Sequence, residues 1–252
     1  LGRCCPRIAV VKAQALLLAR NNLVVCLRLL EAFQARGMHD VVLCPGSRSA
    51  PLAIAAGFLA DSRGIRLSTC IDERSAAFYA LGLSTASGRA TVVITTSGTA
   101  VAQLIPAAIE ADRSCQSLIF LTADRPARLK NCGANQTVNQ EEFLVPVCRW
   151  VNQGPPEGMH ILEEIEIDHL VDEAWDRANK NPGPVHLNLP FEEPLHPADK
   201  EQQFIWKNWP VFSSKLASSS ISGMKITNNL NLADGSDFLD PSYPGVVIAG
   251  PW

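Results

Sequence analysis

The feature that most restricts this chain is an alternation of two textures. A short unbroken apolar run occurs at Val41–Cys44, and strands are likewise expected at Leu67–Ile71, Thr91–Thr95, Leu118–Ala123 and Val185–Leu189. A strand covered on both faces needs such continuous runs, whereas a half-exposed strand would alternate with polar residues. Between the runs lie segments with helical spacing. Leu23, Cys26, Leu27, Leu30 and Phe33 recur three and four residues apart, with Asn22 as the expected cap and Gly37 as the stop. Ala50–Leu59 follows, with Ser49 at the cap and Pro51 in the first turn, then Glu73–Ser87 ending at Gly88. Thr99–Asp112 is expected to be a helix kinked at Pro106, because proline removes a helical hydrogen bond, and a last helix is expected near Leu162–Lys180. Strands alternating with helices call for right-handed crossovers, so the expected fold is α/β, a doubly wound parallel sheet.

Composition narrows the class of partner. The 252 residues carry a net charge of −3, which supplies no basic face for nucleic acid. No apolar run reaches the roughly 18 residues of a membrane span. The eight cysteines are scattered, without C-x-x-C pairs or histidines at ligand spacing, so neither a structural metal site nor a disulfide framework is expected. Cys26, Cys44 and Cys70 read as small buried hydrophobes in a reducing compartment. Residues 1–20 carry four basic residues and no acid, and Lys12 splits their apolar stretch. They are read as a leader of uncertain nature rather than an export signal. Residues 21–196 form the expected α/β domain and 197–244, rich in Ser, Asn and Gly, a linker. At 245–252 a new strand with a glycine turn starts a second α/β unit, taken here as truncated.

In open α/β sheets ligands bind beyond the carboxyl ends of the strands. Four segments belong there: Pro45–Ser49, Asp72-Glu73-Arg74, Ser97-Gly98-Thr99 and Asp124-Arg125-Pro126. Gly46 would let the backbone approach a ligand. Arg48 lies beside a positive helix end, which is unfavourable unless an anion sits between them. That anion could be a ligand carboxylate or a nearby acid such as Asp72. Glu73 could simply complement its helix dipole; if buried, it could instead exchange a proton or a strong hydrogen bond with a ring nitrogen. Arg125 could bind a ligand or tie down its loop, and Cys132–Gln136 could read a polar substrate or form a plain turn. His186 fits a hydrogen-bonded core histidine, and His196 a loop. The chain has no G-x-G-x-x-G, P-loop or G-x-S-x-G motif, so Ser97 is not read as a nucleophile.

Six segments occur in order: C-P-G-S-R-S-A-P-L (Cys44–Leu52), I-D-E-R-S-A (Ile71–Ala76), T-T-S-G-T-A-V-A (Thr95–Ala102), L-T-A-D-R-P (Leu121–Pro126), C-G-A-N-Q-T-V-N-Q (Cys132–Gln140) and G-P-V-H-L-N-L-P-F-E-E-P-L (Gly183–Leu195). Together they resemble the N-terminal domain of the 2-succinyl-5-enolpyruvyl-6-hydroxy-3-cyclohexene-1-carboxylate synthase (MenD) family, thiamine-diphosphate-dependent transferases of menaquinone and phylloquinone biosynthesis. The resemblance covers about 22–195, and 245–252 resembles the first strand of the family's central domain.

The resemblance implies a pyrimidine-binding domain. Glu73 would be the catalytic carboxylate that hydrogen-bonds the aminopyrimidine of thiamine diphosphate. Ser47, Arg48, Arg125 and Gln136 would bind isochorismate, and Ser97, Gly98 and Thr99 would lie at the cofactor edge. The implied reaction decarboxylates 2-oxoglutarate and adds the succinyl carbanion to isochorismate. It further implies that Mg²⁺ or Mn²⁺ and the diphosphate are held by a C-terminal domain outside this chain, and that no metal ligand lies within it. Two subunits would share each active site in a homodimer or homotetramer, in the cytoplasm or, in a photosynthetic eukaryote, the plastid. These 252 residues alone are expected to be inactive. The alternatives are another thiamine-diphosphate 2-oxoacid enzyme or a non-catalytic module of the same fold.

Overall fold

The computed structural model describes residues 6–210, with backbone only for 6–11. Strands β1 (Asp40–Leu43), β2 (Arg66–Thr69), β3 (Thr91–Thr95), β4 (Leu118–Asp124), β5 (Trp150–Gln153) and β6 (Pro184–Pro190) form one sheet in the order β2-β1-β3-β4-β6-β5. Every pairing is parallel, as expected from strands that alternate with helices. The helices are α1 (Pro6–Ala35), α2 (Ala50–Arg63), α3 (Glu73–Ser87), α4 (Thr99–Ala102), α5 (Ile105–Arg113), α6 (Glu164–Asn179) and α7 (Asp199–Asn208).

Alternate strand residues point to opposite faces, and the core divides accordingly. Val41, Leu43, Val92, Ile94, Ile119, Leu121, Val185 and Leu187 pack under α1, α2 and α6. Val42, Cys44, Val93, Leu118 and Phe120 pack under α3, α4 and α5. The order reverses between β1 and β3, so the loops leaving these two strands border the switch point where open sheets bind ligands.

Several boundaries differ from the sequence reading, each for a physical reason. The first helix begins at Pro6 rather than Asn22, so 6–20 belong to it. No Gly or Pro interrupts 8–35, and Pro6 sits where its missing N–H costs nothing. Asn22 lies inside α1, fully buried, and its Nδ2 donates to the carbonyls of Glu192 (2.8 Å) and Pro194 (3.2 Å). Ser49 precedes α2 without a side-chain cap; its hydroxyl turns back to the Gly46 carbonyl at 3.1 Å. Pro106 does not kink a continuous helix. The chain breaks at Gln103-Leu104, and proline takes a first-turn position of α5. Strand β2 ends at Thr69, leaving Ile71 87% exposed, and Cys70 is half-buried rather than buried.

Strand β5 and helix α7 were not expected. Residues 199–208 fall in the expected linker, yet α7 buries Ile205 and stacks Trp206 on Phe58 with ring centroids 5.7 Å apart. The Trp209 indole donates to Glu31 at 2.7 Å. The expected linker beyond 210 and the strand at 245–252 lie outside the described residues.

Asn22→Ala is expected to destabilise the chain by roughly 1–3 kcal/mol, because it strands two carbonyls that terminate the segment after β6. Urea unfolding at neutral pH checks this, with the exposed Arg177→Ala, expected to change stability by under about 0.5 kcal/mol, as the control.

Candidate functional site

Five segments converge at the carboxyl edge of the sheet. The turn after β1 carries Ser47 and Arg48. Gly46 in that turn is needed for packing rather than ligand approach: a Cβ there would lie 2.3 Å from Thr96 Cβ. Arg48 is 6% exposed, and its Nη1 donates to the Phe191 carbonyl at 2.9 Å. Its Nη2 pairs with Glu193 Oε1 at 2.7 Å. The acid beside Arg48 is therefore Glu193 and not Asp72, whose carboxylate caps α3 by accepting from the Ser75 N–H at 2.7 Å. Ser47 is exposed, and its hydroxyl has no partner among the described residues.

Arg125, at the end of β4, is 9% exposed. Its Nη1 donates to Ser97 Oγ and, at 2.8 Å, to the Gln136 carbonyl. Burial, and next the Arg48 guanidinium, push its pKa down, while Asp124 and Glu193 oppose the shift. Arg48 and Arg125 therefore feel each other's charge at one rim. An arginine remains cationic throughout this range. Gln136 is exposed, has φ 56°, and its Nε2 donates to the Ser97 carbonyl at 2.8 Å. Gly98 adopts φ +83° directly against it, and a Cβ there would lie 2.7 Å from Gln136 Cγ. Arg125, Ser97, Gly98 and Gln136 thus form one interlocked corner. Thr99 begins α4 and is exposed.

Glu73 opens α3 and is half-buried, not shielded as the sequence reading required. The strand expected to cover it ends four residues earlier. Among the described residues its carboxylate enters no hydrogen bond or ion pair. It lies close to Cys44: burial first, then the Glu73 charge, raise that thiol's pKa to about 12.

Sequence reasoning foresaw His186 as a core histidine but missed the buried layer that it joins beneath this corner. Asp124, Gln140, His186 and Asn188 are each fully buried. Gln140 Oε1 accepts from the Gly98 N–H at 2.7 Å. Its Nε2 donates to the Ala123 carbonyl (3.0 Å) and to Asn188 Oδ1 (2.8 Å). Asn188 Nδ2 donates to Asp124 Oδ2 at 2.8 Å. Each amide orientation follows from a partner of one kind, since an N–H can only donate and a carboxylate can only accept. Thr122 Oγ1 donates to Asn188 Oδ1 at 3.1 Å and lies 2.7 Å from His186 Nε2, which must then carry the imidazole proton. The available signal was His186 and Asn188 two apart in an apolar strand, hence on one face, in register with Phe120 and Thr122. His186 is the core histidine expected, and His196 lies in a loop near the Pro197 carbonyl.

No cluster of three or more metal-ligating side chains occurs among the described residues, and no described helix is long and apolar enough to cross a membrane. The arrangement can hold anionic groups at Arg48 and Arg125 and offers a free carboxylate at Glu73. That defines an open parallel α/β domain with a candidate anion-binding edge near its switch point.

Residues 8–143, more than half the chain, match the family described as "Thiamine pyrophosphate enzyme, N-terminal TPP binding domain". The chain belongs to that family. Curated relatives named 2-succinyl-5-enolpyruvyl-6-hydroxy-3-cyclohexene-1-carboxylate synthase include that of Prochlorococcus marinus (strain MIT 9303), 57% identical over 224 residues, which cover 86% of this chain and 38% of the relative. Those of Prochlorococcus marinus (strain MIT 9313) and Synechococcus sp. (strain WH7803) are 58% and 57% identical, covering 86% and 89% of this chain. The chain spans 38% of the length of each of these relatives.

Burial pushes the His186 pKa down to about 3. The unfolded chain, near 6.5, then binds more protons than the folded one between these values, so stability falls as pH drops through that window. From this residue alone the chain is expected to be about 2 kcal/mol less stable at pH 5 than at pH 7. Chemical unfolding at both pH values, compared with His186→Gln, checks it; an equal pH dependence in both proteins would reject the assignment.

Proposed function

We propose that this chain forms the pyrimidine-binding, isochorismate-binding part of a 2-succinyl-5-enolpyruvyl-6-hydroxy-3-cyclohexene-1-carboxylate synthase. The reaction takes 2-oxoglutarate and isochorismate, releases carbon dioxide, and serves menaquinone or phylloquinone biosynthesis. The observation that carries this reading is the pairing, on one sheet edge, of two buried guanidinium groups with a carboxylate that no described residue engages. The names of the relatives supply the substrate class.

The donor set fits these ligands. Arg48 uses one N–H on Phe191 and one on Glu193, and Arg125 commits only Nη1, so the remaining N–H groups of each can hold a carboxylate. The Ser47 hydroxyl and Gln136 Oε1 complete the isochorismate side. Thiamine diphosphate, when bound, supplies the electron sink for loss of carbon dioxide from a 2-oxoacid. Glu73 holds a proton against its pyrimidine nitrogen, and Ser97, Gly98 and Thr99 line the same edge. In this reading the diphosphate and its Mg²⁺ or Mn²⁺ are held by the part of the relatives' length that this chain does not span. The chain by itself is then inactive.

Phe78 and Tyr79 are exposed further along α3, and Ile71, 87% exposed, leaves apolar surface two residues before Glu73. A second subunit covering it, in a homodimer or homotetramer, would remove water from the carboxylate. The cyanobacterial sources of the relatives accord with action in the cytoplasm; in a photosynthetic eukaryote the place of action would be the plastid.

In a polypeptide of the relatives' full length carrying this chain, Glu73→Gln is expected to lower kcat by roughly 10²–10⁴-fold without altering circular dichroism. Arg48→Met and Arg125→Met are each expected to raise KM for isochorismate roughly 10- to 100-fold, the loss of a charge-assisted contact. Steady-state kinetics with 2-oxoglutarate and, separately, pyruvate decides the substrate: turnover of pyruvate alone would point to a different 2-oxoacid enzyme. Full activity of Glu73→Gln would remove Glu73 from the catalytic role, and absence of turnover with either 2-oxoacid would favour a non-catalytic module.

A further inference from the structure

We infer that Gln140 is a positioning residue for the arginine corner, an inference that rests on reading that corner as the substrate edge. Its side chain is fully buried and connects three segments that are distant in sequence. It accepts from Gly98 N at the start of α4, donates to Ala123 O one residue before Asp124-Arg125, and donates to Asn188 on β6. It also terminates the 131–139 loop that carries Gln136. The corner closes only when this loop lies against Ser97 and Gly98, because Gln136 contributes both an amide donor to Ser97 O and a carbonyl for Arg125 Nη1.

Gln136 is exposed and has a left-handed backbone, so it does not hold the loop there by burial. Gly98 has no side chain with which to hold it. At this loop end the Gln140 side chain is fully buried and both its polar atoms are bonded, Oε1 to the Gly98 turn and Nε2 to the strands beneath. A glutamine suits the position because one end must accept while the other donates twice. A carboxylate would face two acceptors, and an apolar side chain of the same shape would leave a buried N–H and carbonyl unpaired. Loss of the tie would free the loop and the Gly98 turn together, and Arg125 would lose both Nη1 acceptors without any change to its own bond network on Asp124.

Hydrogen–deuterium exchange on the 252-residue chain tests the tie. Gln140→Met is expected to speed exchange at least tenfold in 95–104 and 131–140 while leaving 164–179 in α6 unchanged. Gln140→Glu, whose protonated form keeps the acceptor and one donor, should fall between wild type and Gln140→Met and recover protection as pH is lowered from 7 to 5. Should Gln140→Met fail to fold, a change of at least threefold in 95–104 for Gln140→Glu at pH 7, with α6 unaffected, decides the same question. Unchanged exchange in 95–104, or equal acceleration everywhere, overturns the inference. In the full-length polypeptide, Gln140→Glu should raise KM for isochorismate at least fivefold with kcat within twofold; a fall in kcat at constant KM also overturns it. If the unaltered full-length polypeptide turns over neither 2-oxoacid, the proposed function fails, and the exchange result alone then judges the tie.

Discussion

The arrangement of the ligand edge depends on one buried carboxylate. Asp124 is fully inaccessible to solvent, and an ionised carboxylate in that position costs several kcal/mol unless every lone pair is met. Oδ1 accepts the Arg125 N–H at 2.7 Å, and Oδ2 takes Asn188 Nδ2 and lies 3.0 Å from Lys130 Nζ. Burial works against the Lys130 ammonium, but its bonds to Glu141 and Asp124 outweigh this and hold its pKa above the ordinary value. The consequences run outward. The bond to the Arg125 backbone sets the direction in which that residue leaves β4. The bond to Asn188 fixes which way its amide faces, hence which end of Gln140 it can receive, hence that Gln140 presents an acceptor to Gly98. Four choices of orientation follow from a single charge.

The layers of the fold were legible because they obey local rules. Continuous apolar runs mark strands covered on both sides, and Gly88, with φ 65°, ends α3 where expected. What escaped was non-local. Asn22 has the chemistry of a cap and stands before an apolar periodic segment, but its partners lie 170 and 172 residues away. Strand β5 reads Trp-Val-Asn-Gln at the sheet edge, only half-buried, so neither continuity nor alternation marks it. Helix α7 is polar along most of its length and docks through a few residues, Ile205, Trp206 and Trp209, whose contacts come from α1 and α2.

The candidate site divides in the same way. Arg48, Glu73, Ser97 and Arg125 could be found because each follows a strand, and strand ends are where an open sheet binds. Their partners could not. Glu193 lies 145 residues from Arg48, and nothing between them in sequence announces that one guanidinium must be balanced. Gln140 and Asn188 sit in motifs that were noticed, but their role depends on three strands meeting at fixed register. Gly46 and Gly98 illustrate the point from the opposite side. Gly46 reads as an opening for a ligand and Gly98 as part of a cofactor edge, yet the space at each is filled by a neighbouring side chain, Thr96 in one case and Gln136 in the other.

The two halves of the edge are therefore finished to different degrees. The arginine half is complete within the chain: its cations are buried, balanced by Glu193 and Asp124, and held by Ser97 and Gln136. Glu193 is itself 61% exposed at its side chain while Arg48 is 7% exposed, so solvent reaches this pair from the Glu193 side, where another carboxylate could take its place. The Glu73 half is not complete. A carboxylate that exchanges a strong hydrogen bond with a ring nitrogen needs a dry setting, because water competes for the same lone pairs and screens the charge. Glu73 is half-buried, while its neighbour Ile71 is almost wholly in solvent and Phe78 and Tyr79 are exposed on the same helix. Ile71 and that carboxylate gain from the same change, removal of water, and they stand two residues apart.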